Sequence, residues 1–195
     1  MATLEFIRDS REKNLLLLGI SEEGESARYT VSLGFYSEIG SPPRGAFIDP
    51  KTLAEIKLFD MRIRATKKAL SLLSYSDKNE RTLSLRLLQS GFSREVAEEV
   101  VRDMVSRGYI DTQRQLERLI INEANVKLRG PNRIIPALVA KGYSDVDVRR
   151  VLKELINRGE IDLKANAKAL LLKKRASEMS LDDRKKILYK NGYKI

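Results

Sequence analysis

A block of residues recurs about fifty positions apart along this chain, and this repeat limits the possible folds more than any other feature. GFS at residues 91–93 and RGYID at 107–111 return as GYS at 142–144 and RGEID at 158–162, both 51 residues later. A shorter copy, GY at 192–193, follows 50 residues after the second. Self-similarity at such a period is typical of small helical units that stack and bury their apolar faces against one another.

Capping residues and glycines divide the region after residue 79 into helices. Asn79, Ser93 and Ser144 can each accept a hydrogen bond from the first turn of a following helix. The repeated glycines end these helices, because glycine enters the left-handed region without steric cost and the next apolar residue folds back onto the last turn. We therefore predict a predominantly α fold in which tandem three-helix repeats form an elongated array.

The first 48 residues differ from the rest and predict a small antiparallel β subdomain. Apolar or β-prone runs at 4–7, 14–20 and 27–33 are separated by polar turns, as in a meander. Asp49 before Pro50 then marks a helix start. The predicted organisation is a β-rich subdomain at 1–48, a linker helix with the first three-helix repeat at 49–111, the second repeat at 112–162 and a truncated third repeat at 163–195.

The absence of histidine and cysteine excludes several kinds of chemistry. Without imidazole or thiol there is no conventional zinc site and no Ser-His or Cys-His nucleophile pair. The acidic pairs at 98–99, 145/147 and 182–183 suit the first turns or exposed faces of helices rather than a catalytic or metal site. We predict a protein that is not an enzyme and has no catalytic residues, metal or cofactor.

Other features of the composition concern location. No apolar run approaches the roughly 18 residues that span a bilayer, and no secretory signal is visible at the N-terminus. The lack of cysteine fits an intracellular protein. We predict a cytoplasmic chain with no membrane contact, and a monomer.

Positive charge is concentrated in the repeats. The net charge is +10, with −3 in residues 1–60, +3 in each of 61–112 and 113–162, and +7 in 163–195. A basic array indicates a polyanionic partner, such as nucleic acid or a complex that contains it. Direct DNA binding through helix-turn-helix-like units is one alternative from the residues alone. Phe92, Tyr143 and Tyr193 could stack on bases, but their place directly after the glycines favours core packing.

Three stretches resemble the RecX family, the regulators of the RecA recombinase. They are ALSLLSY at 69–75 with NE at 79–80 and Leu83; GF at 91–92 through GYID at 108–111; and GPNRI at 130–134 with Leu138 and KGY at 141–143. The order and spacing of these motifs make the set specific, and together they cover about residues 65–195. Ser76 and Lys78 depart from the family pattern, which favours two arginines there.

The resemblance implies a non-enzymatic modulator of recombination and DNA repair. Family members are curved arrays of three-helix repeats that lie in the groove of the RecA–DNA filament. The expected partners are therefore the RecA filament and single-stranded DNA, with duplex DNA left open. The expected effect is inhibition of ATP hydrolysis and strand exchange, although groove binding by itself could also assist the recombinase.

The predicted partner and DNA contacts are basic residues clustered at the edges of the repeats. Those in residues 168–175 are the strongest candidates, because the chain contains no acidic residue between Asp162 and Glu178 to balance them. The full set is Lys67, Lys68, Arg86, Lys127, Arg129, Arg133, Lys141, Arg149, Arg150, Lys164, Lys168, Lys173, Lys174, Arg175, Lys185 and Lys186.

Overall fold

Helices make up most of the chain, which the computed structural model describes over residues 1–194. In that range the α-helices are Leu33–Glu38 (α1), Pro50–Tyr75 (α2), Glu80–Gln89 (α3), Arg94–Ser106 (α4), Thr112–Ile121 (α5), Pro131–Ala140 (α6), Asp145–Asn157 (α7), Leu163–Lys173 (α8) and Leu181–Lys190 (α9). A π-helical segment, Asn122–Val126, continues α5, and a 3₁₀ turn, Ala176–Glu178, follows α8. The predominantly α class with a small N-terminal antiparallel sheet is confirmed.

The chain divides into two units. The N-terminal unit comprises residues 1–75 with 86–103, and the C-terminal unit comprises residues 76–85 with the chain from Met104 onward. The division passes through α3 and α4. The predicted domain boundaries at 48, 111 and 162 rest on the sequence repeat and stay a prediction.

The sheet of the N-terminal unit has four antiparallel strands in the order β3-β2-β1-β4. They are Ala2–Asp9 (β1), Leu15–Glu22 (β2), Glu25–Ser32 (β3) and Phe47–Ile48 (β4). Leu4, Leu18 and Val31 are fully buried on one face, and α2 adds Leu53 and Ile56 to the same core. The three strands predicted from the sequence are confirmed with shifted ends.

Two elements of this unit were not predicted. The third strand was expected to reach Leu33, but Ser32 accepts a hydrogen bond from the Phe35 amide at 3.0 Å and starts α1 instead. β4 forms only because residues 47–48 return to pair with Ala2 and Thr3, a long-range contact that leaves no local pattern. The predicted start of α2 is correct, since Asp49 accepts hydrogen bonds from the Lys51 and Thr52 amides.

The second repeat has a continuous apolar core in the C-terminal unit. Leu116 and Ile120 from α5, Ile134 and Leu138 from α6 and Leu155 from α7 are each at most 1% exposed. These residues follow the three- and four-residue spacing that places side chains on one face of a helix. Three helices that bury one stripe each therefore form the repeat.

The repeated glycines end the helices as the sequence predicts. Each adopts a positive φ, between 74° and 94°, at Gly91, Gly108, Gly142, Gly159 and Gly192. The amide of the following residue then bonds to a carbonyl five residues earlier, as in Tyr143 N to Leu138 O at 3.2 Å and Tyr193 N to Leu188 O at 3.1 Å. This is the Schellman arrangement, and it buries Tyr143 and Tyr193 to 8% and 6% exposure.

The contact between consecutive repeats recurs with the same period. Asn79 and Gly130 are the residues that precede α3 and α6, twelve positions before Gly91 and Gly142. The Asn79 side-chain amide donates to the Lys141 carbonyl at 2.9 Å, and the Gly130 amide donates to the Asn191 carbonyl at 2.8 Å. Each acceptor directly precedes a helix-ending glycine, so the end of one helix is held by the start of the equivalent helix in the preceding repeat.

Gly130 and Gly192 touch through their backbones at the second of these contacts. A Cβ added at Gly130 would lie 2.4 Å from the Gly192 carbonyl, and one added at Gly192 would lie 2.6 Å from the Arg133 amide. The Asn132 amide also donates to the Gly192 carbonyl at 3.1 Å. The GPNR motif therefore has a structural role, because its backbone packs against and hydrogen-bonds the end of α9.

We predict that Gly130→Ala lowers the free energy of unfolding by about 3 kcal/mol, because the new methyl group would collide with backbone that cannot rotate away. Gly159→Ala is the matched control. Its φ is +74° and nothing lies within 4 Å of an added Cβ, so only left-handed strain of about 1 kcal/mol is expected. Urea unfolding followed by circular dichroism measures both, and an equal or smaller loss for Gly130→Ala would contradict this account of the contact.

Candidate functional site

The first turn of α8 begins the most basic part of the C-terminal unit. Asp162 caps the helix, and its carboxylate accepts the Ala165 amide at 3.0 Å and the Lys164 amide at 2.8 Å. These two backbone hydrogen bonds lower the pKa of Asp162, and the charges of Lys164 and Lys168 lower it further. The Asp162 carboxylate therefore caps the helix, and Lys164 and Lys168 of α8 are exposed.

We define the C-terminal basic surface as six of the predicted contact residues, all of them exposed, on α8, the turn after it and α9. They are Lys164, Lys168, Lys173, Lys174, Arg175 and Lys185. Within residues 1–194, none of the six side chains forms an ion pair with a carboxylate. Their charge is consequently available to an external polyanion.

The end of α8 concentrates three of these cations. Lys173 is its last residue, Lys174 follows, and Arg175 adopts a left-handed conformation with φ of 50°. Cations at a helix C-terminus are favoured by the helix dipole, so this position also contributes a little to stability. All three side chains are exposed, so their charged groups remain accessible to a partner.

Two other predicted contacts, Lys127 and Arg129, form ion pairs with a buried carboxylate. Glu123 is 2% exposed in the π-helical segment, with Lys127 Nζ at 2.6 Å and Arg129 Nη1 at 2.5 Å from its oxygens. Burial by itself would raise the pKa of Glu123. The hydrogen bonds and charges of Lys127 and Arg129 outweigh that effect, and the pKa lies below its ordinary value.

Three more of the predicted cations form exposed ion pairs within their own helices. Arg149 contacts Asp145 at 2.7 Å, Arg150 contacts Glu154 at 3.1 Å, and Lys186 contacts Asp183 at 3.2 Å. Such pairs on a helix surface contribute roughly 0.5 kcal/mol or less and exchange partners readily. These side chains are therefore partly neutralised but still accessible.

The remaining predicted contact residues lie outside the C-terminal basic surface. Arg133 donates to the Lys190 carbonyl at 3.0 Å, and Lys141 is exposed while its carbonyl accepts from Asn79. Lys67, Lys68 and Arg86 belong to the N-terminal unit. There Lys67 pairs with Glu12, Arg86 bonds Gln89 at 3.2 Å and Lys68 is exposed.

None of the helices in residues 1–194 combines the length and apolar character needed to cross a membrane. In the same range, acidic residues nowhere gather in groups of three or more that could hold a metal ion.

Several known proteins are similar to this chain in sequence. A regulatory protein RecX from Clostridioides difficile is 28% identical over 147 residues, which cover 75% of this chain and 67% of the relative. Proteins of the same name from Leuconostoc mesenteroides and Listeria monocytogenes are 25% and 24% identical, over 62% and 68% of this chain. The matched regions span just under half of those two longer relatives, 45% and 49%. No family model matches the chain.

The fold is similar to solved structures. A crystal structure of regulatory protein RecX matches the whole chain and 95% of its own length, with a TM-score of 0.73 at 21% identity. RecX from Lactobacillus salivarius matches 69% of the chain and 90% of its own length, with a TM-score of 0.58 at 20% identity. The sequence relatives named regulatory protein RecX, together with this similarity of fold, confirm the resemblance to the RecX family.

Sequence reasoning missed some side chains of this RecX-like chain that connect its elements. Arg184 of α9 donates to the Ala176 carbonyl at 2.9 Å and so joins α9 to the turn after α8. Arg158 at the end of α7 contacts Glu117 of α5 at 2.9 Å. Neither pairing has a signal in the sequence, since 8 and 41 residues separate the partners.

We predict that Glu123→Gln destabilises the protein by about 2 kcal/mol at pH 7, because two charge-assisted hydrogen bonds to a buried carboxylate are weakened. The folded-state pKa of Glu123 is lowered, so the stabilisation is complete above the unfolded pKa and disappears as pH falls through the folded pKa. The difference between the two proteins should therefore shrink below about pH 4.

The control for this prediction is Glu98→Gln, which removes an exposed carboxylate of α4. Urea unfolding at a series of pH values gives the free energies. A Glu123→Gln effect that is independent of pH between 7 and 3 would mean that Lys127 and Arg129 do not act through the charge of Glu123.

Proposed function

We propose that this chain is a cytoplasmic, non-enzymatic regulator that binds the RecA recombinase and its DNA filament. The proposal is supported by the similarity to proteins named regulatory protein RecX and by the family motifs in residues 69–143. The observation that carries it is the C-terminal basic surface, where six cations lack an intramolecular ion pair in the described part of the chain.

The charge distribution suits a long contact with a polymer. Residues 163–195 carry a net charge of +7, and the unpaired cations extend along a whole helix and into the next one. A filament of recombinase on single-stranded DNA offers a repeating series of phosphates and acidic side chains. Each phosphate neutralised by a lysine or arginine should steepen the salt dependence of binding by roughly one unit.

Inhibition is the effect we propose. A monomer that binds along the filament and contacts successive recombinase subunits would obstruct the addition of subunits and the approach of a second DNA strand. ATP hydrolysis and strand exchange then fall because fewer competent subunits remain on the DNA. A ligand can shift such an equilibrium only by its difference in affinity for the two states.

The test is a DNA-stimulated ATPase assay with RecA and single-stranded DNA, combined with co-sedimentation of the chain with the filament. We expect co-sedimentation and a fall in ATP hydrolysis as the chain is added. Tight binding to free duplex DNA with no effect on hydrolysis would instead favour a direct DNA-binding protein with helix-turn-helix-like units.

The basic surface is tested by the double variant Lys173→Glu with Lys174→Glu. We expect filament binding to weaken by at least about tenfold at 0.1 M salt, and the salt dependence to become shallower by roughly two units, because two polyanion contacts become repulsive. The helix content measured by circular dichroism should not change.

The control is Lys51→Glu with Lys153→Glu, which makes the same change in net charge at exposed positions of α2 and α7. Equal weakening by the two double variants would show that only total charge matters, and would remove the C-terminal basic surface from the proposal.

A further inference from the structure

A cleft of about 490 Å³ lies in the C-terminal unit, next to the first turn of α8. Ile135 of α6, Leu163 and Ala167 of α8 and Leu188 of α9 form its aliphatic floor. Leu163, Ala167 and Leu188 are only partly buried, so these lining residues keep some surface accessible to solvent. Clefts of this size with an apolar lining are where proteins bind side chains or small ligands.

Three cations also line this cleft. Arg149, Lys164 and Lys194 line the cleft, and none of the described lining residues is acidic. Arg149 uses its Nε to contact Asp145 at 2.7 Å, but its side chain remains 62% exposed. Lys164 forms no ion pair among the described residues and also belongs to the C-terminal basic surface. The lining of the cleft thus combines aliphatic side chains, which we call its floor, with three cations, which we call its rim.

The floor does not suit a nucleotide base. Bases bind single-stranded DNA-binding proteins mainly by stacking on exposed aromatic rings. Tyr193 is the only aromatic side chain among the described lining residues, and it is 6% exposed with its hydroxyl donating to the Leu128 carbonyl at 3.1 Å. An aliphatic floor with a buried ring instead complements an aliphatic or aromatic side chain of a protein.

We propose that this cleft receives an apolar side chain of a partner protein, flanked in the partner's sequence by acidic residues. The apolar side chain is buried on Leu163 and Ala167, while the neighbouring carboxylates meet Arg149, Lys164 and Lys194. Burial provides the affinity and the charges fix the orientation and speed the encounter. The identity of that partner as the recombinase rests on the proposed function, whereas the chemistry of the cleft does not.

The main test fills the cleft without changing its charge. Ala167→Phe places a ring over the floor, and Ala165→Phe, at an exposed position of the same helix, is the control. The probes are a RecA filament on single-stranded DNA, free oligo(dT), and a labelled peptide with two leucines between acidic residues. We expect Ala167→Phe to weaken binding of the filament and the peptide at least about tenfold, which corresponds to excluding one buried leucine.

A second variant keeps the test valid if Ala167→Phe disturbs folding. Lys194→Glu reverses one charge of the rim, and Lys190→Glu makes the same change at an exposed position that does not line the cleft. We expect weaker peptide and filament binding for Lys194→Glu only, with oligo(dT) affinity changed equally by the two lysine variants.

The outcomes separate this inference from the proposed function. If the unaltered chain fails to bind the filament, the proposed function is wrong. Binding of the peptide still tests whether the cleft receives an apolar side chain flanked by acidic residues. If the filament is bound but Ala167→Phe and Lys194→Glu match their controls, the inference is overturned and the function stands. A loss of oligo(dT) binding by Ala167→Phe alone would identify a nucleotide site and also overturn it, as would the absence of peptide binding to the unaltered chain.

Discussion

The C-terminal unit depends on the way its helices end. A glycine in the left-handed region reverses the chain, and the residue after it bonds back to the last turn, as Tyr143 does to Leu138 and Tyr193 to Leu188. The carbonyl just before the glycine then accepts a hydrogen bond from the start of the equivalent helix one repeat earlier. At Gly142 and Gly192 the same short segment therefore both ends a helix and joins consecutive repeats.

Two groups of cations in the C-terminal unit differ in what their side chains contact. Lys127 and Arg129 neutralise the buried Glu123, and Arg158 joins α7 to α5 through Glu117, so these charges hold elements together. The cations of the C-terminal basic surface have no such partner in the described residues. Stability accounts for the first group but not for the second, because leaving like charges clustered on a surface costs free energy unless a polyanion neutralises them.

α8 connects the two interaction features of this RecX-like chain. Its exposed lysines suit a diffuse, salt-sensitive attraction to a polyanion, which provides affinity without much selectivity. The cleft at its first turn offers burial of a defined apolar group, which depends on shape and can discriminate between partners. Lys164 belongs to both. In the proposed role as a filament regulator, the combination would add selectivity, since charge alone would hold the protein on any nucleic acid.

The sequence by itself determined the helical repeat, the caps at Asp49, Asn79 and Ser93, the glycine helix ends and the three main strands. All of these follow from interactions within a few residues, so the sequence pattern records them. The family motifs likewise pointed to RecX without coordinates. Only the tertiary structure decided that β4 pairs with β1 and that the GPNR segment packs against Gly192. It likewise decided that Lys127 and Arg129 form ion pairs with the buried Glu123, and that Lys194 lines a cleft. Those facts depend on groups that are distant in the chain or on burial, which the order of residues does not reveal.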